Sequence, residues 1–208
     1  ILYSEPQRAD QSSLSSSRPE LIPIKKNRHL NNLDKSRPVV LALSGGVDSM
    51  VLFDLLKKAD FKIIIAHVNH HKRLESETEE KYIRLLGKES NFIVEVFDYI
   101  HEGNNFQAEA HNSRYKFFYD VAKKYNASSI ITAHHYIDNL ETILMNLIRG
   151  SNIYGYAGIK EFTNYNDVLV VRPLINVDKK SLYKYALDNN SLVIYSFSAS
   201  FIFWLLFS

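Results

Sequence analysis

The stretch Pro38-Val-Val-Leu-Ala-Leu-Ser44-Gly45-Gly46-Val47-Asp48-Ser49-Met50-Val51-Leu52-Phe53 runs from a short apolar segment through a polar turn into an amphipathic one. Val39 to Leu43 follow a helix-breaking proline; the run is too short for a helix and suits a strand buried on both faces of a sheet. From Val47 to Lys58 the pattern is helical. Between the two, Gly45 and Gly46 reach backbone angles closed to other residues and put no side chain in the way. The amides of Ser44 to Asp48 can then converge on an anion at the helix N-terminus, where a phosphate or pyrophosphate fits. A plainer reading has Gly45-Gly46 turning the chain while Asp48 and Ser49 cap the helix. The string is neither a Walker A loop, since no Gly-Lys-Ser/Thr follows, nor a Gly-x-Gly-x-x-Gly dinucleotide turn.

The rest of the chain can be read outward from that strand and helix. Phe61 to Val68 is a second buried strand, ending in His67-Val68-Asn69-His70-His71-Lys72-Arg73. That cluster is either metal-binding or, with no acidic or thiolate companion nearby in sequence, a strand end at the surface. Ser76-Glu-Thr-Glu79 has capping-box spacing and opens a helix to about Ser90. Phe92 to Phe97 is a third strand. A helix from Asn104 to about Tyr125 carries a core stripe of Tyr115, Phe118 and Val121, with Arg114 either solvated or a ligand. Ser128 to Thr132 is a fourth strand, followed directly by Ala133-His134-His135-Tyr136-Ile137-Asp138-Asn139-Leu140-Glu141-Thr142. Ile137, Leu140, Leu144, Leu147 and Ile148 recur at helical spacing and are expected to face the sheet. Asp138 and Glu141 project together on a neighbouring face, as partners of the helix dipole or of a ligand, and Arg149-Gly150 ends the helix. Val168 to Val171 is a fifth strand, and Arg172-Pro173-Leu174 leads to a helix from about Asp178 to Asn189. Strand-helix units with buried, parallel-type strands predict a doubly wound α/β fold: a mainly parallel sheet with helices on both faces. The site is expected at the strand C-terminal ends, where Ser44 to Ser49, His67 to His70 and His134 to Glu141 all fall.

Composition bounds the function. The 208 residues are 46% hydrophobic, enough for one domain with a sizeable core plus extensions. A net charge of +2 permits a nucleic-acid partner without demanding one, so any basic surface must be local. The absence of cysteine excludes disulfides, thiolate metal sites and a cysteine nucleophile, and fits a cytoplasmic protein. Residues 1–32 contain a serine-rich, charge-interspersed stretch without the apolar core of a signal peptide, and are expected to be disordered or foreign to the domain. Leu192 to Phe207 is an aromatic apolar run shorter than the roughly 20 residues of a spanning helix. Residues 196–208 are therefore expected to be a truncated or non-native tail rather than a membrane anchor, leaving 33–195 as the domain.

The string Ser44-Gly-Gly-Val-Asp-Ser49, placed between a buried strand and a helix, resembles the N-type ATP pyrophosphatase (PP-loop) family, of adenine nucleotide alpha hydrolase-like fold. Four further stretches are similar to signatures of the tRNA(Ile)-lysidine synthetases within that superfamily. They are His67-Val-Asn-His70; Glu109-Ala110 with Arg114-Tyr115; Ala133 to Thr142 with Arg149-Gly150-Ser151 and Gly155-Tyr-Ala-Gly158; and Arg172-Pro-Leu174. The resemblance implies a ligase that cleaves ATP to AMP and pyrophosphate. Such an enzyme adenylates C2 of the wobble cytidine in the CAU anticodon of tRNA(Ile), and the ε-amine of L-lysine then displaces AMP. By the same resemblance Ser44, Gly45, Gly46, Val47, Asp48 and Ser49 hold the ATP pyrophosphate, and Asp48 places Mg2+. His67 and Asn69 lie beside the adenosine. Asp48, Arg114, His135 and Asp138 are the catalytic set, with Arg114 a phosphate or RNA ligand, and Asp138 and Glu141 hold the lysine. Two positions depart from the pattern: His111 stands where arginine is usual, and Ile137 where an acid or amide is usual, so the acid role falls to Asp138. The tRNA-thiolating members of the superfamily rely on cysteines that this chain lacks. Two other readings stay open: a nucleotide-binding module or inactive remnant, and a synthetase acting on a small-molecule acceptor.

Overall fold

The computed structural model describes residues 33–71, 75–100, 106–148, 150 and 158–189. The expected extension over 1–32 and tail over 196–208 lie outside the described residues. So do Lys72-Arg73, Asn104-Asn105, Arg149, Ser151 and residues 155–157. Along the chain the elements are β1 (Val39–Ala42), α1 (Val47–Lys58), β2 (Ile63–Asn69), α2 (Glu75–Ser90), β3 (Ile93–Asp98) and α3 (Phe106–Lys124). These are followed by β4 (Ser129–Ile131), α4 (Tyr136–Ile148), β5 (Phe162–Tyr165), β6 (Val168–Val171) and α5 (Lys179–Asp188). The strands form one six-stranded sheet in the order β3-β2-β1-β4-β6-β5. Every neighbouring pair is parallel except β5 with β6.

The apolar run of β1 is central and buried on both faces: Val39, Val40 and Leu41 are wholly inaccessible. Because side chains alternate along a strand, it feeds two separate cores. Val39, Leu41 and Leu43 join Ile63, Ile65, Ile131 and Val171 beneath side chains of α1, α2 and α5, among them Phe53, Leu56, Ile83 and Leu182. Val40, Ile64, Ala66, Ile130 and Val170 pack with Tyr115, Phe118, Val121 and Ala122 of α3. Each fully buried aliphatic or aromatic side chain contributes about 1.5–3 kcal/mol, so this double burial sets the position of the chain that follows β1. The helices α1 and α5 are also tied by polar groups. Buried Asp54 accepts from Tyr185 Oη at 2.7 Å and pairs with Lys58 Nζ at 2.7 Å, which offsets the cost of burying a carboxylate.

Strand order reverses beside β1. One neighbour, β2, follows it through α1, while the other, β4, is reached only after β3 and α3. Such a switch point opens a crevice at the strand C-terminal ends.

Three sequence expectations change. The strand over Val168–Val171 is the sixth, because Phe162–Tyr165 pairs antiparallel with it, Phe162 opposite Val171 and Tyr165 opposite Val168. Phe-Thr-Asn-Tyr is too short and polar to show as an apolar run, and the two-residue turn holds Asn166 at φ +52, which asparagine tolerates. The second change is at α2, which begins at Glu75, so Ser76 lies inside the first turn rather than ahead of it. The third is larger. The row Ile137, Leu140, Leu144, Leu147 and Ile148 does not face the sheet: Leu144 is 56% and Ile148 73% exposed, and no residue of α4 is buried. The sheet faces are already filled by α1, α2 and α5 on one side and α3 on the other, and neither core includes a side chain of α4.

Candidate active site

The turn after β1 is built by its own hydroxyls. Gly45 has φ +86, a region strained for any L side chain, while a Cβ there would meet Glu79 only at ordinary contact distance, 3.6 Å. The backbone angle, not lack of space, requires glycine. Gly46 is the N-cap of α1 in extended conformation with no side chain capping it, so Asp48 and Ser49 do not have the capping role of the plainer reading. Instead Ser49 Oγ donates to Gly46 O at 2.9 Å and lies 3.1 Å from Ser44 Oγ. The Ser44 amide donates to Ser49 Oγ at 3.3 Å, and the Gly46 amide to Ser44 Oγ at 3.3 Å. The loop is thereby folded around the start of α1, whose first N–H groups have no carbonyl within the helix to bond.

The chain after β4 comes to the same place. His135 Nε2 is 3.5 Å from Asp48 Oδ2, and His135 Nδ1 is 3.5 Å from Asp138 Oδ2. The Ile137 amide donates to His135 Nδ1 at 3.2 Å, so that nitrogen is an acceptor and Nε2 carries the ring proton toward Asp48. Asp138 Oδ2 accepts from the His135 amide at 2.8 Å, closing the start of α4 as a cap does. Burial raises the Asp48 pKa above that of a free aspartate, against the pull of His135 and Lys179 and with the help of Asp138. The Asp48 Oδ1 atom is buried with no hydrogen-bond partner among the described residues. An unpartnered carboxylate oxygen at the mouth of a phosphate-type loop fits a hard divalent cation such as Mg2+. No three His, Asp or Glu among the described residues are grouped to hold a metal. Such an ion would therefore complete its shell from water and phosphate, as Mg2+ commonly does.

The end of β2 forms the next wall. His67 is buried, its Nδ1 2.8 Å from Leu43 O, which braces the loop from beneath. Buried Asn69 donates its amide to Glu80 Oε2 at 2.9 Å and accepts from the His71 amide at 2.9 Å. Both residues lie on β2 near its C-terminal end, and the Asn69 side chain is engaged by α2. His71 does have acidic companions: it lies between Glu77 Oε1 at 2.8 Å, six residues on, and Asp98 Oδ1 at 3.0 Å, which the pairing of β2 with β3 brings alongside. The bond to Glu77 and then that to Asp98 raise its pKa.

Beyond the end of β4 the sequence assigns roles to Arg114 and Glu141, while His134 and Arg172 stand only within longer motifs and Thr132 only as the end of a strand. Thr132 Oγ1 is 2.8 Å from His134 Nδ1. Burial, then Arg172 and Arg114, push the His134 pKa down to about 4, so the ring is neutral near pH 7. Arg172 is itself 8% exposed, bonded to Lys160 O, Thr163 Oγ1 and Tyr115 Oη. Arg114 has its guanidinium 5.7 Å from the Tyr115 ring, and the ion pairs of Asp48 and Asp138 among the described residues are with His135, not with it. Glu141 is exposed one turn beyond Asp138. Lys179, the first residue of α5, stands close enough to Asp48 to favour its charged form. Its only sequence signal was its place after Arg172-Pro-Leu. Gly158 supports the far side of α4: the Ile159 amide donates to Asn139 Oδ1 at 2.7 Å, and a Cβ on Gly158 would fall 2.2 Å from that oxygen.

A glycine-bearing strand-to-helix turn at the switch point of a doubly wound, mainly parallel sheet defines an α/β protein of the adenine nucleotide alpha hydrolase type. Solved structures agree on the fold. The U34-tRNA thiolase NcsA from Methanococcus maripaludis with its [4Fe-4S] cluster superposes with a TM-score of 0.66 at 18% identity, over 80% of this chain and 61% of that one. The NH3-dependent NAD synthetase from Campylobacter jejuni gives 0.51 at 18% identity, over 82% and 71%. The PP-loop domain family matches residues 20–192, and the chain belongs to that family. The tRNA(Ile)-lysidine synthases of Streptococcus pyogenes serotypes M3 and M6 are 41% identical to it over 150 residues, 70% of this chain. The aligned part spans 35% of the length of those relatives. Among the described residues no helix is long and apolar enough to cross a membrane.

Proposed function

We propose that the chain is the catalytic domain, over residues 33–195, of a cytoplasmic tRNA(Ile)-lysidine synthetase. In this reading ATP is the cosubstrate with Mg2+, and the substrates are L-lysine and tRNA(Ile) with a CAU anticodon. The observation that carries it is the Asp48–His135–Asp138 constellation closing on the Ser44 to Ser49 loop; the identity to lysidine synthases narrows the reaction. In the first step the cytidine O2 attacks the α-phosphorus of ATP, and the α–β bond breaks to release pyrophosphate. In the second the lysine ε-amine attacks C2, AMP leaves with the oxygen, and the amine loses a proton. The Ser44 to Ser49 loop binds the departing pyrophosphate through backbone amides and the α1 N-terminus, and Asp48 holds the cation. Bound Mg2+ would supply charge compensation to the phosphates. Arg114 offsets charge gathering on the phosphoryl oxygens. His67 and Asn69 shape the adenosine side. Asp138 and Glu141 hold the lysine ammonium groups. Because His135 Nδ1 accepts from the backbone, its tautomer favours orienting Asp48 over removing the lysine proton.

The test uses the full-length protein with ATP, lysine and tRNA(Ile). AMP and pyrophosphate are the expected products, and Asp48→Asn should lower their formation by about a hundredfold or more. Glu141 is exposed and has no partner among the described residues that its loss would disturb. Glu141→Gln should therefore weaken lysine use by roughly tenfold to a few hundredfold, as loss of a bond to a charged group does, at unchanged ATP affinity. ADP as the main product would overturn the reading. Turnover to AMP without RNA would favour a small-molecule acceptor instead.

A further inference from the structure

Four nitrogenous side chains, Arg114, Arg172, His111 and His134, converge beyond the ends of β4 and β6, and the mechanism uses only Arg114 of them. Arg172 leaves the end of β6 and lies nine-tenths buried. Its bonds run to Lys160 O at 2.9 Å, Thr163 Oγ1 at 3.0 Å and Tyr115 Oη at 3.1 Å, all neutral acceptors, and its Nε has none among the described residues. Among the described residues no ion pair joins Arg172 or Arg114 to a carboxylate. Tyr115 is the hub: it accepts from Arg172, lies 4.6 Å ring to ring from His111, and has Arg114 at 5.7 Å. His134 is brought alongside by the Thr132 amide, which donates to Val171 O at 3.0 Å next to Arg172. A guanidinium removed from water without a counter-charge is costly, and its field is weakly screened there. The natural occupant is an anion.

We propose that Arg114, His134 and His111, backed by the buried charge of Arg172, form a pocket for a phosphoryl oxyanion, distinct from the Ser44 to Ser49 loop. Which phosphate enters, the nucleotide's α-phosphate or an RNA phosphodiester, rests on the proposed function; the pocket itself does not. The groups facing His134 are Arg172 from the end of β6, Arg114 and His111 from α3, and Asp138 from α4. Three of them disfavour its protonation and one favours it, so an incoming anion reverses the balance. Burial and then Arg114 hold His111 low in the same way. Binding should therefore take up protons and strengthen as pH falls.

The experiment titrates the ring signals of His134 and His111 by NMR, without and with inorganic phosphate, in the wild type and in Arg114→Met and Arg172→Met. Phosphate should raise the His134 pKa from about 4 toward the ordinary value of 6.5. Arg114→Met, a change at a partly exposed position, should weaken phosphate binding by about tenfold or more. Arg172→Met should raise the His134 pKa in the absence of phosphate; if that variant does not fold, the Arg114 variant alone decides. Competition then assigns the source. Displacement of phosphate by AMP and not by an anticodon stem-loop assigns the pocket to the nucleotide, and the reverse assigns it to RNA. Unchanged histidine titrations with phosphate, or equal phosphate affinity in Arg114→Met, would overturn the proposal. Neither readout needs turnover, so a failure to form lysidine leaves this inference standing, and its own failure leaves the reaction standing.

Discussion

At the scale of the residue, His134 shows how neighbours decide what a side chain is. In the unfolded chain its imidazole has the ordinary pKa of 6.5; folded, burial and two guanidinium groups bring it to about 4. Between these values the unfolded state binds a proton that the folded state refuses, so this contribution to stability is complete above pH 6.5 and is lost as pH falls toward 4. The loss amounts to about 3 kcal/mol. Urea denaturation from pH 4 to 7 should show a shallower acid decline for His134→Gln than for the wild type, and equal slopes would refute the assignment. Asp48 carries the same lesson. Its place in Ser-Gly-Gly-Val-Asp-Ser was plain from sequence, but the partner of its Oδ2, His135, is far from it along the chain.

At the scale of the element, close approach decides which glycines matter. Gly87, within α2, costs helix propensity of about 1 kcal/mol relative to alanine, so alanine there would be expected to stabilise an isolated helix. In the fold a Cβ at Gly87 would lie 2.2 Å from Val94 Cγ2 and 3.2 Å from Phe92 O. Gly87→Ala should instead destabilise by about 1–3 kcal/mol through overpacking of α2 against β3. Adding Val94→Ala removes the clashing methyl, so a double-mutant cycle by chemical denaturation should show favourable coupling; strict additivity would mean that the helix simply shifts. Periodicity placed α1, α3 and α5 to within a few residues, because each carries an apolar stripe or cap of its own. The Asp178 carboxylate, for example, accepts from the Ser181 amide at 2.9 Å as the N-cap of α5. β5 escaped because a polar edge strand has no burial pattern to show.

At the scale of the whole molecule, α4 is the departure. Its apolar row has the strongest helical periodicity in the sequence, yet it stands on neither core. Leu140→Lys and Leu144→Lys should each change stability by no more than about 0.5 kcal/mol, as surface substitutions do, and should reduce binding of a hydrophobic dye. Leu52→Ala in the core should cost about 2–5 kcal/mol. A Leu144→Lys penalty of core size would show that this face is covered in solution.

The sequence by itself determined the doubly wound class, the glycine turn after β1 and the gathering of polar strings at strand ends. These follow from local chemistry: buried apolar runs, glycine backbone freedom and helical spacing are properties of neighbouring residues. Only the tertiary structure decided that Asp48 faces His135, that Arg172 lies buried beside His134 with no counter-ion among the described residues, and that α4 packs on neither core. Those relations join residues distant in sequence, and they depend on which sheet faces were already filled, a property of the assembled layers that no single segment contains.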